Sequence, residues 1–306
     1  MSATRDGATT GDDTEHGVRR RTASADMLSY LHEYHAGNFA DVLKHLVLVR
    51  VLEYLTRKPA PLRYVDTHAG AGLYRLDGTE ALQTREFHDG IARLWVRDDV
   101  PEVIVPYLDL VRRCNGDGPL RTYPGSPWLA RAMLRQQDRL DLCELHPREF
   151  SLLQAQFAGA RRSRCHQQDG FAVSLALMPP VERRGLVLID PSYEIKTDYP
   201  GVVRHVAALH RRFATGTYLI WYPVVEAGRA ADLERAFAQS GLRRVQLFEL
   251  GRAEPGSRPG MTAAGMVVVN PPFTLAADMT GALAYLAPLL SEDGEPRYRV
   301  VEIVGE

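Results

Sequence analysis

The fold is decided by a short apolar strand that runs directly into a glycine-rich turn. Residues 62–72 read LRYVDTHAGAG, in which an apolar run at 62–65 precedes Gly70 and Gly72. Glycine lets a backbone turn sharply and approach a ligand closely. Open α/β sheets bind their ligands at the carboxyl ends of the strands, where this turn would lie. The spacing differs from the dinucleotide-binding G-x-G-x-x-G, which counts against a nicotinamide-dependent oxidoreductase.

Apolar runs of similar length recur along the chain. They occupy residues 62–65, 140–143, 186–189, 217–221, 245–250, 266–269 and 298–304, with a weaker candidate at 164–167. Helices are predicted between them at 127–137, 147–157, 171–177, 201–213, 227–239 and 277–290. A nearly all-apolar helix precedes the later runs, with Asn38 as its N-cap and Pro59 as its stop signal. Apolar strands that alternate with helices predict an α/β fold whose mostly parallel sheet is covered on both faces.

The long gap between the first two main strands predicts an insertion. The runs at 62–65 and 140–143 lie much farther apart than the dozen or so residues that a βαβ crossover needs. We therefore expect residues 27–73 and 124–306 to form one domain, interrupted by a small helical subdomain at 74–123. Residues 1–26 are polar and charged, and we expect them to be a disordered extension.

Composition limits the compartment and the class of protein. The chain has 306 residues, of which 45% are hydrophobic, enough for a sizeable core. Its three cysteines are widely spaced, which argues against a disulfide framework or a zinc site and suits a reducing cytoplasm. No apolar run has the roughly 20 residues of a membrane-spanning helix, and no secretory signal is evident. The net charge of −1 does not itself indicate a nucleic-acid partner, although arginine pairs such as 161–162 could contact phosphates or simply be solvated.

Two further predicted strands end in acidic residues. Glu144 follows the run at 140–143, where a carboxylate could accept hydrogen bonds from ribose hydroxyls, face solvent or cap a helix. Asp169 and Gly170 follow the weaker run at 164–167. Asp169 could accept an adenine amino group or cap the next helix, and the sequence leaves both alternatives open.

The most specific strand end is Asp190-Pro191-Ser192-Tyr193, which is close to the D-P-P-Y signature of amino-group methyltransferases. An exocyclic adenine amine is a poor nucleophile because its lone pair is delocalised into the ring. The Asp190 carboxylate and the Pro191 carbonyl could accept its two N–H bonds and localise the lone pair. Tyr193 could stack on a flipped base, an interaction of about 1–3 kcal/mol. The alternative is an ordinary strand-to-turn Asp-Pro followed by a surface tyrosine.

Longer motifs resemble the RlmJ-type 23S ribosomal RNA adenine-N6 methyltransferases. They occupy residues 28–30, 35–45, 66–72, 123–127, 144–147, 196–199, 213–218, 221–225 and 260–263, and the resemblance covers essentially all of 27–306. It implies a class I S-adenosylmethionine-dependent methyltransferase, Rossmann-like, with a mostly parallel seven-stranded sheet and an inserted helical subdomain. It also implies an enzyme that acts alone, without a protein partner, on protein-free 23S ribosomal RNA during ribosome assembly. We further expect a monomer in the cytoplasm, without a membrane.

The resemblance assigns roles to individual residues. Cofactor contacts are expected at His45, His68, Ser126, Glu144, Asp169, Gly170 and Asp190, with Gly70 from the glycine turn. Tyr30 and Lys44 are expected on the substrate side. No metal is expected, because the histidines lack a ligand-like set of neighbours.

One departure from the family pattern is Ser192, which replaces the second proline of the signature. Serine removes one φ restraint, but Asp190, Pro191 and Tyr193 are kept, and we expect activity to be retained. A DNA adenine methyltransferase remains an alternative, because it would share the Asp-Pro-x-Tyr chemistry. A non-catalytic RNA-binding protein with the cofactor fold is a second alternative, against which the intact Asp190 and Tyr193 weigh.

Overall fold

The computed structural model describes residues 31–193, 198–254, 256–257 and 259–306. The expected tail at 1–26 and Tyr30 lie outside these residues. The strands are β1 (Arg63–Asp66), β2 (Leu73–Arg75), β3 (Thr122–Pro124), β4 (Arg139–Cys143), β5 (Ser163–His166), β6 (Gly185–Ile189), β7 (Thr217–Val224), β8 (Val245–Gly251), β9 (Ala263–Val269) and β10 (Arg297–Val304). The helices are α1 (Phe39–Thr56), α2 (Thr79–Thr84), α3 (Ile91–Trp95), α4 (Val105–Asn115), α5 (Ser126–Met133), α6 (Pro147–Gln156), α7 (Gly170–Leu177), α8 (Asp198–Arg212), α9 (Ala227–Ala238) and α10 (Leu275–Leu290).

The main sheet has eight strands in the order β10-β8-β9-β7-β6-β1-β4-β5. The five strands from β7 to β5 are parallel, whereas β9, β8 and β10 pair antiparallel. The mostly parallel sheet is confirmed, but the expected number of seven strands is wrong. The weak candidate at 164–167 is an edge strand, β5, and its partly exposed side chains explain its weak apolar signal.

Both faces of the sheet are covered, as predicted. In β6, Leu186 and Leu188 belong to a core shared with α1, α5 and α10, whereas Val187 and Ile189 belong to a second core shared with α8 and α9. This alternation follows from the two-residue period of a strand. Among the described residues, no helix is long and apolar enough to cross a membrane.

Helix α1 packs against the sheet and carries two of the expected site residues. Its predicted N-cap is confirmed, because the Asp41 backbone N–H donates to Asn38 Oδ1 at 2.9 Å. Most of its side chains are buried, since α1 contacts α5, α10 and α4 as well as β7, β8 and β9. Its burial fixes Lys44 and His45 in place.

The segment predicted as a helical insertion, residues 74–123, contains α2, α3 and α4, and its two ends form the antiparallel pair of β2 and β3. Ile91 and Leu94 of α3 and Tyr107 and Val111 of α4 are buried in the same core as α1. This segment is therefore anchored on the helix that carries Lys44 and His45.

Candidate active site

A cleft of about 920 Å³ lies where β1, β4, β6 and β7 end. It is lined by every expected site residue that the structure describes. These are His45, His68, Gly70, Ser126, Glu144, Asp169, Gly170, Asp190, Pro191 and Tyr193, together with Lys44. The structure thus brings the polar ends of separate strands together in one place.

The glycine turn and Glu144 form one wall of the cleft. The Gly70 backbone N–H donates to Glu144 Oε2 at 2.8 Å, and the His146 N–H donates to Oε1 at 2.7 Å. Gly70 has φ +59°, and a β-carbon there would lie 2.1 Å from the Tyr74 hydroxyl. Burial raises the pKa of Glu144. Each carboxylate oxygen keeps a further lone pair, so Glu144 can still accept hydrogen bonds from ribose hydroxyls.

Asp169 and Gly170 form the adjacent wall. Asp169 Oδ1 accepts the Phe171 backbone N–H at 3.0 Å and so caps α7. The alternative that Asp169 caps the next helix is therefore confirmed. Asp169 also lines the cleft. A β-carbon on Gly170 would lie 2.0 Å from the Thr67 carbonyl oxygen, so only glycine lets α7 begin this close to the β1 turn.

Asp66 at the end of β1 lies behind the cleft and supports it, a role that the sequence interpretation did not single out. It is fully buried, and its Oδ2 accepts hydrogen bonds from Tyr64 at 2.8 Å and from Ser126 at 2.7 Å. Burial raises the pKa of Asp66 to about 6. Its position within the opening motif was the available signal. Asp66 fixes the hydroxyl of Ser126, an expected cofactor contact.

The two histidines expected to contact the cofactor, His45 and His68, are held in their neutral form. Burial lowers the pKa of His45 to about 3 and that of His68 to about 4. His45 Nδ1 lies 2.7 Å from the Tyr123 hydroxyl, while its buried Nε2 has no hydrogen-bond partner among the described residues. Those residues also contain no group of three potential metal ligands. A neutral imidazole can contact a positively charged sulfonium cofactor without charge repulsion.

Asp190 is bound by Lys44. The Lys44 Nζ donates to Asp190 Oδ2 at 2.6 Å and lies 2.8 Å from Asp41 Oδ1. Burial by itself lowers the pKa of Lys44, but the charges of Asp190 and Asp41 outweigh it, so the pKa is raised. Lys44, expected on the substrate side, thus contacts the carboxylate expected to act in catalysis. Sequence spacing did not indicate this pair, because it joins residues of α1 and the β6 end.

Tyr193 belongs to an aromatic cluster with Tyr199 and Trp221. Its hydroxyl donates to the Trp221 carbonyl at 2.7 Å, and its ring centroid lies 4.6 Å from that of Tyr199 and 6.0 Å from that of Trp221. Tyr193 is 8% exposed and has φ +54°, so the surface-tyrosine alternative is wrong. A positive φ at a bulky residue is uncommon and marks a backbone held by its surroundings.

The polar groups that line the cleft fit S-adenosylmethionine. Glu144 offers acceptors for ribose hydroxyls, Gly170 lets α7 begin directly against the β1 turn, and the unpartnered His45 Nε2 offers a further contact. Together with the parallel sheet, these features define a class I S-adenosylmethionine-dependent methyltransferase.

Comparisons with known proteins define the family. A family model described as "Ribosomal RNA large subunit methyltransferase D, RlmJ" matches residues 59–304, and the chain belongs to this family. The chain is 46% identical over 280 residues to Ribosomal RNA large subunit methyltransferase J of Escherichia coli, covering 92% of this chain and all of that protein. Identity to the Haemophilus influenzae protein of the same name is 44% over 281 residues, with the same coverage. These matches confirm the resemblance found in the sequence motifs.

A crystal structure of a Legionella pneumophila protein has the same fold. It superimposes with a TM-score of 0.80 at 37% sequence identity, covering 88% of this chain and 98% of that chain. The agreement extends the similarity from sequence motifs to the three-dimensional arrangement of the strands and helices.

Proposed function

We propose that this methyltransferase transfers the methyl group of S-adenosylmethionine to N6 of an adenine in 23S ribosomal RNA. The proposal rests on one observation. Asp190 and Pro191 lie in the same cleft as Gly70, Glu144 and Gly170, the residues expected to contact the cofactor. The names of the bacterial relatives support the ribosomal substrate.

The chemistry follows from the acceptors at the end of β6. When bound, S-adenosylmethionine supplies an electrophilic methyl group on a positively charged sulfur. Lys44 contacts only Oδ2 of Asp190, so Oδ1 is the oxygen that accepts an N–H of the target amine. The Pro191 carbonyl accepts the second N–H, which localises the nitrogen lone pair toward the methyl group. Alignment of preformed acceptors is the main source of rate in such a reaction.

The expected cofactor residues have defined positions in this scheme. Glu144 accepts the ribose hydroxyls, while Asp169 and Gly170 receive the adenine end of the cofactor. His45, His68 and Ser126 complete its binding, and Gly70 provides the close backbone approach. The neutral state of the two histidines supports this assignment, because the cofactor sulfur carries a positive charge.

The target base is proposed to lie on the aromatic side of the cleft. Tyr193, Tyr199 and Trp221 all line it, and aromatic side chains favour an extruded base by stacking. Tyr193 is the proposed stacking residue. Tyr30 is proposed to contact RNA as well, although it lies outside the described residues. The segment 74–123 is proposed as a further RNA-contacting subdomain, since it is anchored beside the cleft helix α1.

The cellular setting is also a proposal. We infer a cytoplasmic monomer that modifies protein-free 23S ribosomal RNA during ribosome assembly, without a protein partner. The expected site residues that are described all line one cleft of this chain, so the proposed chemistry does not require a second copy.

The experiment is methyl transfer from radiolabelled S-adenosylmethionine to protein-free 23S ribosomal RNA, assembled large subunits and genomic DNA. Asp190→Ala is the inactive comparison, and circular dichroism with urea unfolding checks that the variant is folded, because Asp190 is itself an expected cofactor contact. Label recovered as N6-methyladenosine in free RNA alone, and absent with the variant, is the expected result. Label in DNA would favour the DNA alternative, whereas cofactor binding without any transfer would favour the binding-protein alternative.

A further inference from the structure

Asp41 lies behind Lys44 and uses both of its carboxylate oxygens. Its Oδ1 contacts Lys44 Nζ at 2.8 Å. Its Oδ2 accepts the Gly37 backbone N–H at 2.9 Å and lies 2.9 Å from His32 Nε2. Asp41 is 2% exposed, so these contacts are shielded from water. Capping of the N-terminus of α1 explains the hydrogen bond of the Asp41 backbone N–H, but it does not explain the contacts of the Asp41 carboxylate.

The charges of this network do not cancel at Asp190. Lys44 lies between two carboxylates, with 2.6 Å to Asp190 and 2.8 Å to Asp41. A single ammonium shared by two carboxylates cannot neutralise both of them, so Asp190 keeps part of its negative charge. If Asp41 were neutral, Lys44 would pair with Asp190 alone. Lys44 would then compete with the target amine for the negative charge of Asp190. Burial raises the pKa of Asp41, but its contacts with His32 and Lys44 outweigh burial and hold that pKa well below its usual range.

We propose that Asp41 is a positioning residue for methyl transfer that acts through Lys44. It draws part of the Lys44 charge away from Asp190 and fixes the ammonium that orients the Asp190 carboxylate. The same carboxylate contacts Gly37 and His32. It therefore also connects the segment before α1 to the part of the cleft in which Lys44 contacts Asp190. This inference rests on the proposed function, because Asp190 must be the acceptor of the target amine.

A purely structural role for Asp41 makes a different prediction. Loss of a buried ion pair would then lower stability without a specific effect on turnover. Asp138 provides the matched comparison, because it is also fully buried, accepts the Leu62 backbone N–H at 2.9 Å and pairs with Arg135 at 2.9 Å. It does not line the cleft. Asp41→Asn and Asp138→Asn therefore remove equivalent charges at different distances from Asp190.

The test is a double-mutant cycle in kcat with 23S ribosomal RNA, using D41N, K44M and D41N/K44M, with D138N as the control. We expect D41N to lower kcat about 10- to 100-fold while KM for RNA and for the cofactor stays within about threefold. D138N should leave kcat within about twofold of wild type. In the K44M background, the D41N change should have no further effect, because coupled residues do not contribute additively.

Each outcome bears on the inference. If the fold-losses of kcat caused by D41N and K44M multiply in the double variant, the role of Asp41 is overturned. A kcat for D41N equal to that of D138N would overturn it as well. Either result leaves the proposed function standing. A wild-type protein that binds cofactor but transfers no methyl to RNA would overturn both. If D41N does not fold, Asp41→Glu carries the test with Asp138→Glu as its control, because it keeps the buried charge but displaces the carboxylate that contacts Lys44; a kcat for D41E equal to that of D138E would overturn the role of Asp41.

Discussion

His45 Nδ1 lies 2.7 Å from the Tyr123 hydroxyl, which in turn lies 3.0 Å from the Tyr107 hydroxyl. This buried chain links α1 to β3 and to α4, so the segment between β1 and β4 contributes directly to the orientation of a cleft histidine. The bond at Nδ1 leaves Nε2 as the ring nitrogen that can contact a ligand, because the hydrogen bond made by one nitrogen determines the tautomer.

Tyr123→Phe should weaken cofactor binding. Loss of one buried hydrogen bond costs about 0.5–1.5 kcal/mol, which corresponds to a two- to about tenfold higher Kd if the His45 orientation is what is lost. Turnover at saturating cofactor should stay near wild type. Calorimetry with S-adenosylmethionine measures the effect. Tyr107→Phe is the matched control, since it removes a hydroxyl from the same chain but leaves the bond to His45; equal Kd changes in both variants would contradict the prediction.

Gly170→Ala should damage both stability and cofactor binding. The added β-carbon would lie 2.0 Å from the Thr67 carbonyl oxygen and 2.6 Å from the Thr67 Cα, and backbone atoms cannot move away as a flexible side chain can. Overpacking of this kind costs about 1–3 kcal/mol. Because the turn after β1 must shift, we expect an increase in Kd of at least about tenfold.

Gly281→Ala is the control for this substitution. Gly281 lies within α10, and its β-carbon would meet nothing within 4 Å. Alanine should therefore raise the free energy of unfolding by about 0.5–1 kcal/mol through helix propensity. Urea unfolding compares the two variants. A Gly170→Ala protein as stable as wild type would show that the β1 turn and α7 are not packed as described.

The strand-end residues could be predicted from sequence because their positions depend on the general geometry of an open α/β sheet. Glu144, Asp169 and Asp190 each follow an apolar run, and parallel strands end at the same edge. The contact between Lys44 and Asp190 could not be predicted in this way. It requires that α1 crosses the end of β6, and that is set by tertiary packing across 146 residues of sequence separation.

Stability should fall as the pH drops from about 6.5 to about 4, because three imidazoles are buried in neutral form. Burial lowers the pKa of His45 to about 3 and those of His68 and His205 to about 4. A histidine in the unfolded chain titrates near 6.5, so unfolding takes up protons in this pH window. Each of these histidines therefore lowers the free energy of unfolding by at most about 1.4 kcal/mol for every pH unit that the pH falls. Asp66, whose pKa burial raises to about 6, acts in the opposite direction and offsets part of this loss.

His205→Gln tests this pH dependence outside the cleft. His205 is buried against Phe171 and hydrogen-bonded to Ser174 at 3.0 Å, so it can be replaced without removing a cleft side chain. The variant should lower the slope of unfolding free energy against pH by up to about 1.4 kcal/mol per pH unit, the share of one histidine, in urea titrations at about pH 7, 6 and 5. His88→Gln, at an exposed position, should leave the slope unchanged. A wild-type slope near zero would contradict the prediction.

Ser192→Pro should change kcat by less than about threefold, although it restores the second proline of the family pattern. The turn is already held on both sides of Ser192, because Lys44 binds Asp190 and the Tyr193 hydroxyl donates to the Trp221 carbonyl. A further φ restraint therefore has little left to fix. Ser192→Ala separates the loss of the hydroxyl from the gain of the ring. A rise in methylation by orders of magnitude for the proline variant alone would show that these two contacts do not preorganise the turn, and that the serine weakens the native enzyme.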